Sequence, residues 1–175
     1  IVDDAISPEL CDRIMKEYQF ANDWIPAGTV TGIKTNVRHC DHIFMSNNDT
    51  IKDNSVRQQL DNDMQNTVTN VLRQYFEKFK YATCFRDTGY ELLRYDVNGK
   101  YEEHVDDSPT THRNVSLSFA INDDYTGGEF SFFSRTDKYR LNRGQCIVFP
   151  SNYTYPHEIL PVTSGTRYSI VTWMF

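Results

Sequence analysis

The sequence predicts an α+β fold: a two-sheet jelly-roll core with N-terminal helices packed on one sheet. Three observations carry this. An apolar stripe of helical period runs over residues 55–79. After Lys80 the texture changes to short runs rich in Tyr, Phe, Val and Ile, at 90–95, 115–121, 129–133, 145–149 and 168–175. Turn residues punctuate those runs: Asn98-Gly99, Ser108-Pro109, Gly127-Gly128, 142–144 and Ser164-Gly165. Many short strands with little helix suggest a barrel or a jelly roll.

Taken in order, the elements have local reasons. Ser7 reads as a helix cap and Pro8 as the first helical position, with Leu10, Ile14 and Tyr18 on one face. A strand is predicted over 37–45. The second helix carries Val56, Leu60, Met64, Val68, Leu72 and Phe79 along one stripe. At 175 residues, with no internal repeat and no linker, the chain reads as one domain over 1–175. Its helical support spans 1–80 and its jelly-roll core 81–175.

Composition excludes several function classes. The net charge of -6 argues against a nucleic-acid coat or an anionic-membrane binder, which lean on basic surfaces. No apolar run approaches the ~20 residues of a membrane helix. Cys11, Cys40, Cys84 and Cys146 form no C-x-x-C pair, so no zinc ribbon is expected. They read as reduced thiols in a reducing, cytoplasmic compartment. No signal-type segment is read in the chain. Of three N-x-[ST] sequons, at Asn48, Asn114 and Asn152, that at Asn114 opens a core strand and reads as chance.

The chemistry concentrates on His104-Val105-Asp106. In an extended segment residues i and i+2 share a face, about 7 Å apart, so an imidazole and a carboxylate can converge on one ion. Asp107 would point the other way. His157, on the far side of three strands, is the candidate third ligand. Two His and one carboxylate, with open positions on one side, is the arrangement of non-haem Fe(II) oxygenases. The H-x-D pattern alone is weak, since His39-Cys40-Asp41 repeats it. The strand after His157 decides between the two pairs. Arg167 opens that apolar strand ten residues later, and an interior guanidinium suits a carboxylate. The pair at His39 has no such companion and reads as a polar strand face near the surface.

On these residues, the chain resembles the iron- and 2-oxoglutarate-dependent dioxygenases and, within them, the prolyl 4-hydroxylase-like group. The resemblance runs over nearly the whole chain. Leu93-Arg94-Tyr95, Gly99, Tyr101 and His104-x-Asp106 are similar to the family's run into its first two ligands. The segment 113–122 resembles the next core strand, with Ser116 where the family favours Thr. Gly127-Gly128-Glu129 looks like its G-G-E turn. Phe149-Pro150-Ser151, His157, Pro161-Val162, Gly165, Arg167-Tyr168 and Trp173 resemble its C-terminal signature.

The resemblance implies that His104, Asp106 and His157 bind Fe(II), with no catalytic residue beyond the metal centre. It implies that Arg167 pairs with the distal carboxylate of 2-oxoglutarate and that Tyr95 hydrogen-bonds the same cosubstrate. Ser169 would add a hydroxyl, as in R-x-S-type oxygenases. Tyr101, Arg113 and Trp173 match substrate-side positions of peptidyl-proline enzymes. Tyr153 and Tyr155 flank His157 and read as an entrance. O2 would be the second cosubstrate and ascorbate an auxiliary reductant.

The implied reaction is hydroxylation of a peptide or protein, at prolyl residues, with release of succinate and CO2. The chain departs from collagen-type prolyl hydroxylases, which commonly carry Lys at the place of Arg167, and its segment 107–112 is short. Rival readings are the same chemistry on a free amino acid or a nucleic acid, or a non-catalytic metal-binding jelly-roll module. The acidic charge and Trp173, where nucleic-acid demethylases repeat an Arg, disfavour nucleic acid.

Overall fold

The computed structural model describes residues 1–29, 32–46 and 55–175; the sequon at Asn48 lies outside them. Helix α1 (Pro8–Tyr18) begins as its sequence requires. The Ser7 side chain accepts from Leu10 N–H at 3.2 Å, and Pro8 occupies a first-turn position where no N–H is missed. Helix α2 (Ser55–Lys78) buries Leu60, Met64, Val68, Val71, Leu72 and Tyr75. The buried stripe is shorter than the sequence predicts. Val56, in the first turn, and Phe79, past the last helical residue, are 48% and 53% exposed. Ion pairs join the two helices, Arg13 to Asp63 at 2.7 Å and Arg57 to Glu17 at 2.8 Å.

Thirteen strands are described: β1 (Ile25–Pro26), β2 (Arg38–His39), β3 (Asp41–Phe44), β4 (Glu91–Tyr95), β5 (Lys100–His104), β6 (Val115–Ala120), β7 (Thr126–Gly127), β8 (Phe130–Phe132), β9 (Asp137–Tyr139), β10 (Cys146–Pro150), β11 (His157–Ile159), β12 (Val162–Ser164) and β13 (Arg167–Met174). All pairings are antiparallel. The large sheet has the order β1-β3-β4-β13-β6-β10, the second β2-β5-β11-β8-β9, and β12 pairs β7. Two antiparallel sheets with helices on one of them are consistent with the expected jelly roll. The first 80 residues are not helices alone, since β1, β2 and β3 join both sheets.

Strand alternation divides the interior in two. On β6, Val115, Leu117 and Phe119 point toward the helices, as do Tyr168, Ile170 and Met174 of β13; these form one core with Leu60, Met64 and Ile14. The opposite faces turn toward the second sheet. There Leu93, Tyr95, Ile147 and Phe149 meet Phe130 and Ile159 in a second core. The site lies among these inner-face residues. Two strands that carry it, β5 and β11, are missing from the sequence prediction. β5 reads Lys-Tyr-Glu-Glu-His, whose charges hide a strand, and β11 is only three residues long.

Gly127 ends β7 at the turn into β8. Its φ is +72°, and a Cβ there would meet the Pro161 carbonyl oxygen at 2.3 Å. Gly128, with φ +67°, would place a Cβ 3.0 Å from Arg167 Cδ. The glycine pair thus lets the turn close directly over the Arg167 side chain.

Candidate metal centre

The two histidines are cross-strand partners. β5 ends at His104, β11 begins at His157, and the two stand in register with ring centroids 4.4 Å apart. Opposed residues of an antiparallel pair point to one face. Asp106 follows just past β5. Its N–H and that of Asp107 both donate to the Ser151 carbonyl, at 3.1 and 2.9 Å. The Asp107 carboxylate turns away, as alternation predicts, and accepts from Arg113 N–H at 3.1 Å. Asp106 Oδ1 lies 3.5 Å from His104 Nε2, and Oδ2 3.5 Å from His157 Nε2. One ligand atom from each residue falls within 4.8 Å of the others, the one such group among the described residues. The competing His39 is exposed, and Asp41 pairs instead with Arg94 at 2.6 Å.

Hydrogen bonding sets the ring protons. His104 Nδ1 donates to the Glu102 carbonyl at 2.8 Å and His157 Nδ1 to the Tyr155 carbonyl at 3.1 Å. A carbonyl only accepts, so Nδ1 carries the proton and each Nε2 lone pair faces Asp106. Burial pushes His157 down to about 4, against the pull of Asp106, so its ring is neutral. Burial alone would raise the Asp106 carboxyl. The neighbouring His104 and His157 imidazoles and the Ser116 hydroxyl outweigh it and hold the group well below the usual carboxylate range. Two lone pairs and a carboxylate converging in a buried place repel one another unless a cation stands among them. The donor set therefore fits a divalent transition metal, Fe(II) included.

Support for Asp106 comes from residues that the sequence does not single out for it. Ser116 Oγ donates to Asp106 Oδ2 at 2.7 Å and shares a 2.8 Å hydrogen bond with Ser151 Oγ. Nothing in the spacing of Ser116 and Ser151 announces this, because β6 and β10 meet only through sheet pairing.

From the ligands a narrow cavity runs between the sheets to Arg167. Its wall on the large sheet is a ladder of paired inner residues: Trp173 beside Ser116, Val171 beside Ser118, Ser169 beside Ala120, then Arg167 beside Tyr95. Arg167 is 3% exposed and donates to Ser169 Oγ at 2.8 Å, its one side-chain hydrogen bond among the described residues. Its guanidinium lies 5.0 Å from the Tyr95 ring and 5.5 Å from that of Phe130. Tyr95 is buried, and Tyr101 stacks on His104 at 3.5 Å. Arg113 lies 3.9 Å over the Trp173 ring. Tyr155 is half-buried and packs on Phe133 at 5.7 Å, whereas Tyr153 is 83% exposed.

The metal ligands, the three cosubstrate candidates and the three substrate-side candidates thus all meet at one cavity or its mouth. The structure adds Arg38 of β2, buried on the cavity wall with its guanidinium 4.9 Å over Tyr101. No sequence signal marks Arg38, which opens a two-residue strand with no apolar pattern around it.

Known proteins agree with this geometry. A family model described as the 2OG-Fe(II) oxygenase superfamily matches residues 90–175. A PKHD-type hydroxylase of Prochlorococcus marinus is 37% identical over 81 residues, 43% of this chain and 36% of the relative. One from Idiomarina loihiensis is 30% identical over 89 residues, 47% and 40% of the two chains. The match thus spans less than half the length of these curated relatives.

Among solved structures, a prolyl hydroxylase of Trichoplax adhaerens, in complex with a hypoxia-inducible-factor peptide fragment, superposes with a TM-score of 0.81. It is 15% identical, and the match covers 99% of this chain and 81% of that one. A Pseudomonas putida prolyl-4-hydroxylase gives 0.75 at 17% identity, covering 99% and 90%. These likenesses concern the fold. Residues 90–175 thus match the 2OG-Fe(II) oxygenase superfamily, and the chain has the fold of prolyl hydroxylases.

Proposed function

We propose that this jelly-roll chain is a 2-oxoglutarate-dependent hydroxylase acting on a peptidyl substrate, at prolyl residues. One observation carries the chemistry. The three-ligand centre opens on a cavity that ends at a buried arginine whose only side-chain hydrogen bond among the described residues is to Ser169. A closed structural metal site has no use for such an arginine.

In this reading His104, Asp106 and His157 hold Fe(II). When bound, the metal with 2-oxoglutarate and O2 supplies the oxidation that leaves a hydroxyl on the substrate, with succinate and CO2 released; ascorbate would keep the metal reduced. The chain's own residues do the rest. Arg167 and Ser169 take the far carboxylate of 2-oxoglutarate, and Tyr95 closes the floor beside them. Phe130, Phe149 and Ile159 keep water from the cavity. Tyr101, Arg113 and Trp173 receive the substrate at the mouth. The prolyl assignment is supported by these three positions and by the fold of the prolyl hydroxylases.

The test is anaerobic. Fe(II) and then 2-oxoglutarate are added to metal-free protein and followed by visible absorption. A weak charge-transfer band is expected only with both present, and not in His157→Ala. Tight metal binding without a band would make the chain a metal-binding module instead. A peptide screen read by succinate release then tests the prolyl substrate, with free amino acids as the competing class.

A further inference from the structure

Two arginines at the cavity mouth, Arg38 buried and Arg113 half-buried, are not used by the metal or by the carboxylate clamp at Arg167. Arg38 is 8% exposed and donates from Nη1 to the Gly28 carbonyl at 2.8 Å. Its Nε is buried and has no partner. Arg113 makes one long contact, from Nη1 to the Asp106 carbonyl at 3.4 Å, and its Nε is likewise buried without a partner. Neither guanidinium forms an ion pair among the described residues. Each instead lies over an aromatic ring that borders the metal centre. Arg38 covers Tyr101, which stacks on His104; Arg113 covers Trp173, the cross-strand neighbour of Ser116.

The two cations are near enough to act on each other. The charge of Arg38 repels that of Arg113, while Asp106 and Glu91 attract it. The neighbouring carboxylates are engaged elsewhere. Asp106 faces the metal ligands, and Glu91 Oε2 takes His42 Nδ1 at 3.1 Å. A loaded metal would offset Asp106, leaving the mouth with two cations against one carboxylate on a chain of net charge -6. A buried, unpaired donor on a guanidinium is costly unless an anion reaches it.

We propose that Arg38 and Arg113 form an anion clamp that selects substrates carrying a carboxylate next to the carbon that is hydroxylated. This rests on the hydroxylase reading and narrows it. The carboxylate has two sources, an acidic side chain flanking the target residue in a peptide or the α-carboxylate of a free amino acid.

The experiment uses protein loaded with Mn(II) and 2-oxoglutarate, without O2, so that binding is read by calorimetry apart from turnover. The probes are a short proline peptide with flanking Asp, the same peptide with Asn, and free proline against prolinamide. The carboxylate member of one pair is expected to bind about tenfold tighter than its amide, the order of one charge-assisted hydrogen bond. Which pair shows the preference identifies the source. The preference should shrink in Arg38→Gln and in Arg113→Gln, and weaken with added salt.

Equal binding of carboxylate and amide by the unaltered protein would overturn the clamp, and so would failure of every probe to bind. A preference that survives both substitutions would overturn it as well. The comparison in unaltered protein needs no variant to fold. The Fe(II)–2-oxoglutarate band separates the two failures. A band without charge preference removes the clamp alone, whereas no band removes the hydroxylase reading and the clamp together.

Discussion

Arg167 is the residue whose role is easiest to isolate. It is buried among rings with one hydroxyl partner, so its charge has little structural employment of its own. Arg167→Ala should weaken 2-oxoglutarate binding by at least about tenfold, read by titrating the anaerobic band, while metal affinity stays unchanged. Arg167→Lys should recover part of the loss, because Lys keeps the charge but not the fork.

Ser116→Ala tests the support of Asp106 in the same spirit. Partners of metal ligands typically matter by about 10–100-fold in affinity, so a chelator competition should show a loss of that order with the fold retained. Arg167 is legible in the sequence because an interior arginine on an apolar strand is anomalous. Ser116 and Ser151 are not legible in this role, because serines on inner strand faces look like any small residue until sheet pairing brings them together.

Among the elements, the helices are legible almost to the residue. Ser7-Pro8 is a local start signal, and a stripe of period 3.6 sustained along the whole of α2 is hard to mistake. The strands are legible unevenly. β4, β6, β10 and β13 are apolar and largely buried on both faces, so they stand out. β5 is charged and β11 very short, and only their mutual pairing makes them strands.

Two substitutions separate scaffold from site. Leu60→Ala, fully buried under the large sheet's outer face, should cost about 2–5 kcal/mol in denaturant unfolding and leave metal affinity unchanged. Gly127→Ala forces a Cβ onto the Pro161 carbonyl at a positive φ. It should cost roughly 1–3 kcal/mol, which in a chain of this size lowers Tm by about 2–4 °C per kcal/mol.

For the molecule as a whole, the metal is an expected source of stability. Its ligands come from β5, β11 and the segment between β5 and β6, so binding ties the second sheet to itself. At 100 times its Kd, a ligand adds about 2.7 kcal/mol to the bound fold. Thermal unfolding in Mn(II) should therefore occur several degrees above that in chelator, and the increment should vanish in His157→Ala. No described helix is long and apolar enough to cross a membrane.

The place of β13 in the order of synthesis adds one more consequence. It is central in the large sheet, paired on one side with β4, made long before it, and on the other with β6. Its outer face completes the helix-side core and its inner face supplies Arg167, Ser169 and Trp173. Neither core can close until residues 167–174 have left the ribosome. During translation the helices and the earlier strands wait with their apolar faces uncovered, a period in which chaperone capture and aggregation compete with folding. The strand that finishes the cavity is thus also the one whose arrival permits the chain to collapse, so binding competence and foldedness are acquired in the same event.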